Sequence, residues 1–178
     1  MRPGFAYGGS CLAKELKALL ALAKAESVKT PLLDAISESN NELIKRLELL
    51  IYGQKSNNIG FCGVSFKPNT DDIRNSPIVV VIKNLISGKR SYQGEFNIAI
   101  LDNQGASKNF SREAGPEIDV VTNMDELMEV SDVIVLGPYK ISDDLVVRML
   151  GKNKVIIDLK WHSMDENIKT HPNYHTLV

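Results

Sequence analysis

The sequence predicts an α/β fold: an N-terminal helical segment over residues 1–54, then an open parallel sheet with helices on both faces over residues 55–178. Three observations predict it. Apolar residues recur at helical spacing as far as Gly53. Beyond it, short β-branched runs alternate with helical patterns, the alternation that builds parallel sheets. Those runs are continuously apolar rather than alternating, as expected of strands covered on both sides.

Taken in order, Leu12, Leu16, Leu19, Leu20 and Ala23 mark one face of a helix over residues 11–26. A second helix opens at Thr30 and Pro31, with Thr30 as N-cap and Pro31 at the first helical position, where its missing N–H costs nothing. Its stripe of Leu33, Ile36, Leu43, Ile44, Leu47, Leu50 and Ile51 ends at Gly53, a helix of about 20 residues and roughly 30 Å. Short neighbours cannot cover so long a stripe. A homodimer contact through residues 31–52, on the Ile36, Leu43, Leu47 and Leu50 face, is therefore expected. Asn40 interrupts the stripe and is either a buried polar group fixing register or a partly exposed side chain.

Strands are expected at 58–64, 97–101, 118–121, 132–136, 155–159 and 174–178, and helices at 76–87, 124–130 and 143–150, with Pro77 opening the first of these. Parallel sheets of this kind bind ligands beyond the carboxyl ends of their strands, which directs attention to the loops after Val64, Leu101 and Leu136.

Composition excludes several classes of function. The chain has 178 residues, 43% of them hydrophobic and 24% charged, enough to bury a core and too ordered in texture for a disordered segment. Its 21 basic and 22 acidic residues leave a formal charge of −1, and no basic block longer than a pair offers a nucleic-acid footprint. No apolar run approaches the roughly 20 residues that span a bilayer, and the first residues lack a signal-peptide core, so a cytoplasmic location is expected. The two cysteines, Cys11 and Cys62, match no metal-ligand spacing.

Cys11 follows Gly8-Gly9-Ser10 at the start of a helix. Glycines there allow close backbone approach to a ligand, and the positive end of the helix dipole, with Lys14 one turn on, favours the thiolate. The alternative is a small buried residue. Cys62, inside an apolar strand, reads as core. The polar loop Ser65 to Pro77 sits where a doubly wound sheet places a ligand: Lys67 and Arg74 could neutralise phosphate, or Asp72 and Arg74 could simply pair in a solvated turn. Gly60 and Gly63 do not complete a G-x-G-x-x-G fingerprint, so the sheet is Rossmann-like without the standard dinucleotide turn. His162, His171 and His175 lack ligand spacing and read as surface residues, Trp161 packs the sheet edge, and Tyr139 and Lys140 fall at the site rim.

Two segments carry a resemblance: Arg2-Pro3-Gly4-Phe5-Ala6-Tyr7-Gly8-Gly9-Ser10-Cys11-Leu12, and Gly63-Val64-Ser65-Phe66-Lys67 through Thr70-Asp71-Asp72-Ile73-Arg74-Asn75-Ser76-Pro77. Together they resemble the nucleotide-sugar 6-dehydrogenases, the GDP-mannose branch more than the UDP-glucose branch. The Ser39-Asn40 pair and the 131–137 strand also find counterparts, so the resemblance spans the chain. It implies a C-terminal portion of such an enzyme: the catalytic-Cys loop and central dimerisation helices, then a nucleotide-sugar-binding α/β domain. The main NAD-binding domain would lie outside this polypeptide, leaving the chain inactive alone.

Carried over by position, the resemblance makes Cys11 the nucleophile that attacks a C6 aldehyde, leading through a thiohemiacetal and a thioester to a uronic acid. Arg2, Phe5, Gly8 and Lys67 match substrate contacts, Arg2 reaching across the dimer, and Arg74 matches a contact to NAD. The implied partners are a nucleotide sugar, GDP-mannose or a UDP-sugar, and a second copy of the chain. No metal is implied. One departure bears on chemistry: the family reads Cys-Leu-Pro-Lys-Asp, whereas this chain has Cys11-Leu12-Ala13-Lys14-Glu15, an acid one methylene longer. Displacements near 1 Å in such a group cost about 100-fold in rate. A binding or dimerisation module without chemistry is the alternative.

Overall fold

The computed structural model describes residues 5–88, 94–114, 118–160 and 165–177. Two helices lead, α1 (Cys11–Ala25) and α2 (Pro31–Tyr52), followed by β1 (Asn58–Cys62), α3 (Pro77–Ile86), β2 (Asn97–Leu101), α4 (Gln104–Ala114), β3 (Ile118–Val120), α5 (Met124–Val130), β4 (Val133–Leu136), α6 (Asp143–Gly151), β5 (Val155–Asp158), α7 (Glu166–Lys169) and β6 (Tyr174–Thr176). All six strands are parallel, in the order β3-β2-β1-β4-β5-β6. The chain therefore reverses direction across the sheet between β1 and β4, whose carboxyl ends flank the topological switch point.

The four inner strands, β1, β2, β4 and β5, alternate their side chains between two cores. Val133 and Val135 point into one cluster with Phe61, Val81 and Ile82, whereas Ile134 and Leu136 point into the other with Leu127, Val146 and Met149. Because both faces are covered, the strands read as unbroken apolar runs. Cys62 lies in the second cluster, fully buried, as expected of a core residue.

The expected elements stand with small changes. Four of the strands are shorter at their carboxyl ends than the apolar runs suggested. After β1 the cause is visible: Gly63 turns at φ +88, and Val64 leaves the ladder. Helix α4 was not expected. Its sequence is largely polar, and the two residues that anchor it, Ala106 and Phe110, are fully buried one turn apart. Asn103 accepts a hydrogen bond from the Ala106 N–H at 3.0 Å, an N-cap that together with that apolar pair could have revealed the helix. The short α7 was missed for the same reason, with Asp165 as its cap and Ile168 as its anchor.

The dimer face expected on α2 needs correction. Leu47 and Ile51 are fully buried and Leu50 is half-buried, all packed into the cluster that covers the sheet. Buried Glu48 accepts a hydrogen bond from Asn84 of α3 at 2.6 Å. One side of the last turns of the helix is thus consumed within the chain. What remains exposed belongs to both leading helices: Leu12, Leu19, Leu22, Leu32, Ile36 and Leu49. Among the described residues, no helix is long and apolar enough to cross a membrane.

Candidate functional site

The loop that leads to Cys11 is held against the domain at two points. Asn40, from the middle of α2, accepts the Tyr7 N–H at 2.7 Å and donates to the Tyr7 carbonyl at 3.2 Å. Asn40 is half-buried, as its partly exposed alternative expected, and its polarity serves the loop. Asn75 donates to the Gly9 carbonyl at 3.2 Å. Glycine is required at both positions between these anchors. A Cβ on Gly8 would lie 2.4 Å from the Asn75 carbonyl oxygen and 2.7 Å from Pro77, and Gly9 turns at φ +89 with the Phe66 ring 2.8 Å from where its Cβ would be.

Behind this loop is a cavity of about 310 Å³, with Phe5 and Gly8 on one wall, Ser65 and Phe66 after β1, Pro138 after β4 and Lys160 after β5. The loop after β5 replaces the expected loop after Leu101. Lys160 was missed, because a single lysine after a strand carries no pattern; only the order of strands brings it beside the loop after β1. Its backbone N–H donates to Asp158 at 2.9 Å, and Asp158, fully buried, also accepts from the Tyr174 hydroxyl. The ammonium has no counter-ion among the described residues, and burial lowers its pKa from the ordinary lysine value.

Of the expected site residues, Phe5 and Gly8 line the cavity. Lys67 stands just beyond it, its ammonium 5.2 Å from the centre of the Phe66 ring. Its backbone is fixed by Ser65, whose hydroxyl donates to the Lys67 carbonyl at 3.0 Å. Cys11 is the first residue of α1 and is exposed, with the Ser10 hydroxyl 3.8 Å from its sulfur. Arg74 is exposed and makes a two-point contact to Asp72, at 2.9 and 2.7 Å. That pair holds the guanidinium above its usual pKa, with a smaller contribution from the charge of Cys11. The solvated pairing expected as the alternative is therefore real, and it places Arg74 within electrostatic range of Cys11. Arg2, Trp161 and His162 lie outside the described residues. Tyr139 is half-buried at the rim and Lys140 is exposed. His171 accepts from the Asn173 N–H at 3.1 Å, and no cluster suited to a metal ion occurs among the described residues.

The turn after β1 is closed. Asp102, following β2, accepts the N–H groups of Val64 and Ser65 on one carboxylate oxygen at 2.7 and 3.0 Å, and that of Asn103 on the other at 2.7 Å. The loops after β1 and β4 touch directly: a Cβ on Gly137 would lie 2.4 Å from the Gly63 carbonyl oxygen.

Residues 60–163 match the model of the UDP-glucose/GDP-mannose dehydrogenase family, UDP binding domain, and residues 1–42 match the central domain of the same family. The chain is 35% identical over 165 residues to GDP-mannose 6-dehydrogenase of Pseudomonas aeruginosa, covering 89% of this chain and 37% of that protein. It is 32% identical over 167 residues to UDP-glucose 6-dehydrogenase of Rickettsia bellii, again covering 89% of this chain and 37% of the relative. Among solved structures, a ternary complex of GDP-mannose dehydrogenase from Pseudomonas aeruginosa superposes with a TM-score of 0.78 at 31% identity, over 99% of this chain and 41% of that one. A UDP-glucose dehydrogenase from Pyrobaculum islandicum shares the fold, with a TM-score of 0.75 at 19% identity over 98% of this chain and 38% of that one. The chain thus spans about 37% of the length of these curated relatives.

Proposed function

The chain belongs to the UDP-glucose/GDP-mannose dehydrogenase family, and on that premise we propose that it supplies the nucleophilic cysteine and part of the nucleotide-sugar site of a nucleotide-sugar 6-dehydrogenase of the GDP-mannose type. One observation carries the reading: the loop that delivers Cys11 forms a wall of the cavity at the carboxyl ends of β1, β4 and β5. A ligand in that cavity would touch the cysteine loop and the α/β domain together.

In this reading Lys160 and the backbone around Ser76 meet the diphosphate, with Lys67 at the mouth, and Phe5 and Gly8 contact the sugar side. An ammonium already stripped of part of its water binds an anion more strongly than an exposed one does. Cys11 Sγ, as thiolate, adds to the C6 carbonyl carbon of an aldehyde. A C–S bond forms, and the carbonyl π pair moves to oxygen, which takes a proton. Raising this adduct to the thioester would require a hydride acceptor held outside the described residues; from a thioester, water would displace the sulfur, return the thiol and leave a carboxylate. Two copies would associate through the exposed faces of α1 and α2.

A nicotinamide dinucleotide would supply the hydride acceptor, but the described residues do not fit one: the glycine fingerprint is missing and the turn after β1 is filled by Asp102. Arg74, the residue proposed to reach that cofactor, is engaged by Asp72.

A UDP-sugar is the second reading, supported by the family model, described as a UDP binding domain, and by the 32% identity to a UDP-glucose 6-dehydrogenase. Calorimetric titration with GDP-mannose, UDP-glucose, GDP and UDP tests both. Saturable binding of GDP-mannose in preference to UDP-glucose is expected; preference for UDP-glucose favours the second reading, and no binding to any of the four removes the function.

A further inference from the structure

The strand order of this sheet is the one in which a dinucleotide normally sits over the turn after β1, its phosphates on the backbone N–H groups there and a ribose on an acid at the end of β2. Both parts are present in this chain, and they bind each other. Gly63, in the left-handed region at φ +88, aims the next two N–H groups, those of Val64 and Ser65, at a single point. Successive N–H groups converging in this way form an anion-binding nest. The point is occupied by one carboxylate oxygen of Asp102, at 2.7 and 3.0 Å.

We propose that Asp102 is a resident anion that fills a phosphate nest after β1 and thereby denies the Val64 and Ser65 N–H groups to external phosphate. Three further features agree. The other carboxylate oxygen is taken by the Asn103 N–H, so the side chain is held from both ends. The start of α3 is withheld until Pro77, and its lead residue Ser76 donates its hydroxyl to the Val64 carbonyl at 2.6 Å, so the helix does not open onto the nest as it would in a dinucleotide turn. Across the crevice, the Gly63 Cβ position lies 3.0 Å from the Pro138 and Tyr139 nitrogens, so the two loops touch at Gly63 itself.

The consequence is directional. At the nest both N–H groups are taken, whereas the cavity lined by Phe5 and Lys160 is open to a ligand. The same carboxylate fixes Ser65, whose hydroxyl holds the Lys67 carbonyl, so Asp102 acts as a positioning residue for Lys67 through one intermediate.

Inorganic phosphate is the probe, followed through the backbone amide resonances of the full chain by nuclear magnetic resonance. In the unaltered protein, the Val64 and Ser65 amides should not shift with phosphate and should exchange slowly with solvent hydrogen. In Asp102→Ala, both should shift saturably with phosphate, and their exchange without phosphate should accelerate. Phosphate-dependent shifts at Val64 and Ser65 in the unaltered protein overturn the proposal, and so do folded Asp102→Ala protein whose two amides ignore phosphate. The first measurement stands even where the variant does not fold. Because the probe is not a nucleotide sugar, the proposed function can fail without touching this result, and the reverse also holds.

Discussion

Asn40 pairs with both backbone polar groups of Tyr7, accepting its N–H at 2.7 Å and donating to its carbonyl at 3.2 Å, across 33 positions of sequence. The side-chain amide imitates a strand partner, and only Asn or Gln can donate and accept in this way. A residue inside an apolar helical stripe thus sets the path of the loop that ends at Cys11.

Removing that pairing should loosen the loop. Asn40→Ala should lower unfolding free energy by about 1–2 kcal/mol, the worth of two hydrogen bonds, and should accelerate hydrogen exchange at Tyr7. Asn40→Asp keeps the acceptor, loses the donor and faces a carbonyl with a carboxylate, so it should destabilise at neutral pH and recover as acid protonates it. Urea titrations at several pH values read both effects. A neutral Asn40→Ala variant would remove the clamp from the account.

Gly8 is held between the Asn75 carbonyl and Pro77, both too rigid to give way to a methyl group placed 2.4 and 2.7 Å from them. Gly8→Ala should therefore cost about 1–3 kcal/mol, the usual range of overpacking, by displacing the loop rather than by blocking a ligand. Thermal unfolding checks it. Loss of ligand affinity at unchanged stability would instead mark Gly8 as a contact alone.

Lys160 carries opposite expectations for stability and binding. Burial lowers its pKa, so the folded state resists the proton that the unfolded chain accepts. The penalty is present below the folded pKa and is relieved as pH rises toward the unfolded value. Lys160→Met should raise stability at neutral pH while weakening nucleoside diphosphate binding about 10- to 100-fold, the worth of one charge-assisted hydrogen bond. In the unaltered protein affinity should fall as alkaline pH neutralises the amine. Binding unchanged by Lys160→Met would detach Lys160 from the site.

Asp72 titrates at about 2 because the Arg74 guanidinium donates hydrogen bonds to it. A depressed carboxyl contributes stability above its unfolded value near 3.8, and that contribution is lost as pH falls toward about 2. The pair is solvent-exposed on the arginine side, so its effect on unfolding free energy should be small, about 0–1 kcal/mol. Arg74→Ala should return the Asp72 midpoint to the ordinary range, read by carboxyl resonance titration. A midpoint that stays near 2 without the arginine would assign the shift to the loop backbone instead.

The cysteines should separate cleanly under alkylation. Cys11 is exposed, whereas Cys62 is fully buried and burial, with the charge of Asp102 adding, pushes its thiol up. Iodoacetamide should modify Cys11 in the folded protein and Cys62 only on unfolding, as mapped by mass spectrometry. Equal rates in the folded state would contradict the burial of β1.

Local chemistry along the chain was enough for most elements. Continuous apolar runs specify strands covered on two sides, and Pro31 and Pro77 start helices because a helix leaves its first N–H groups unpaired in any case. The two motif segments likewise carried the family. Helix α4 escaped because its buried apolar residues among those described are just Ala106 and Phe110, too few to give a period, and the end of α2 was misjudged because α3, which covers it, is distant in sequence. The site itself was decided by tertiary structure. Asn40 reaches Tyr7 only where α2 lies against the leading loop, and Lys160 joins Phe5 at one cavity and Asp102 meets Val64 only after the strands take the order β3-β2-β1-β4-β5-β6. Such contacts depend on which loops end side by side at one edge of the sheet, a consequence of chain crossovers that no local pattern of side chains encodes.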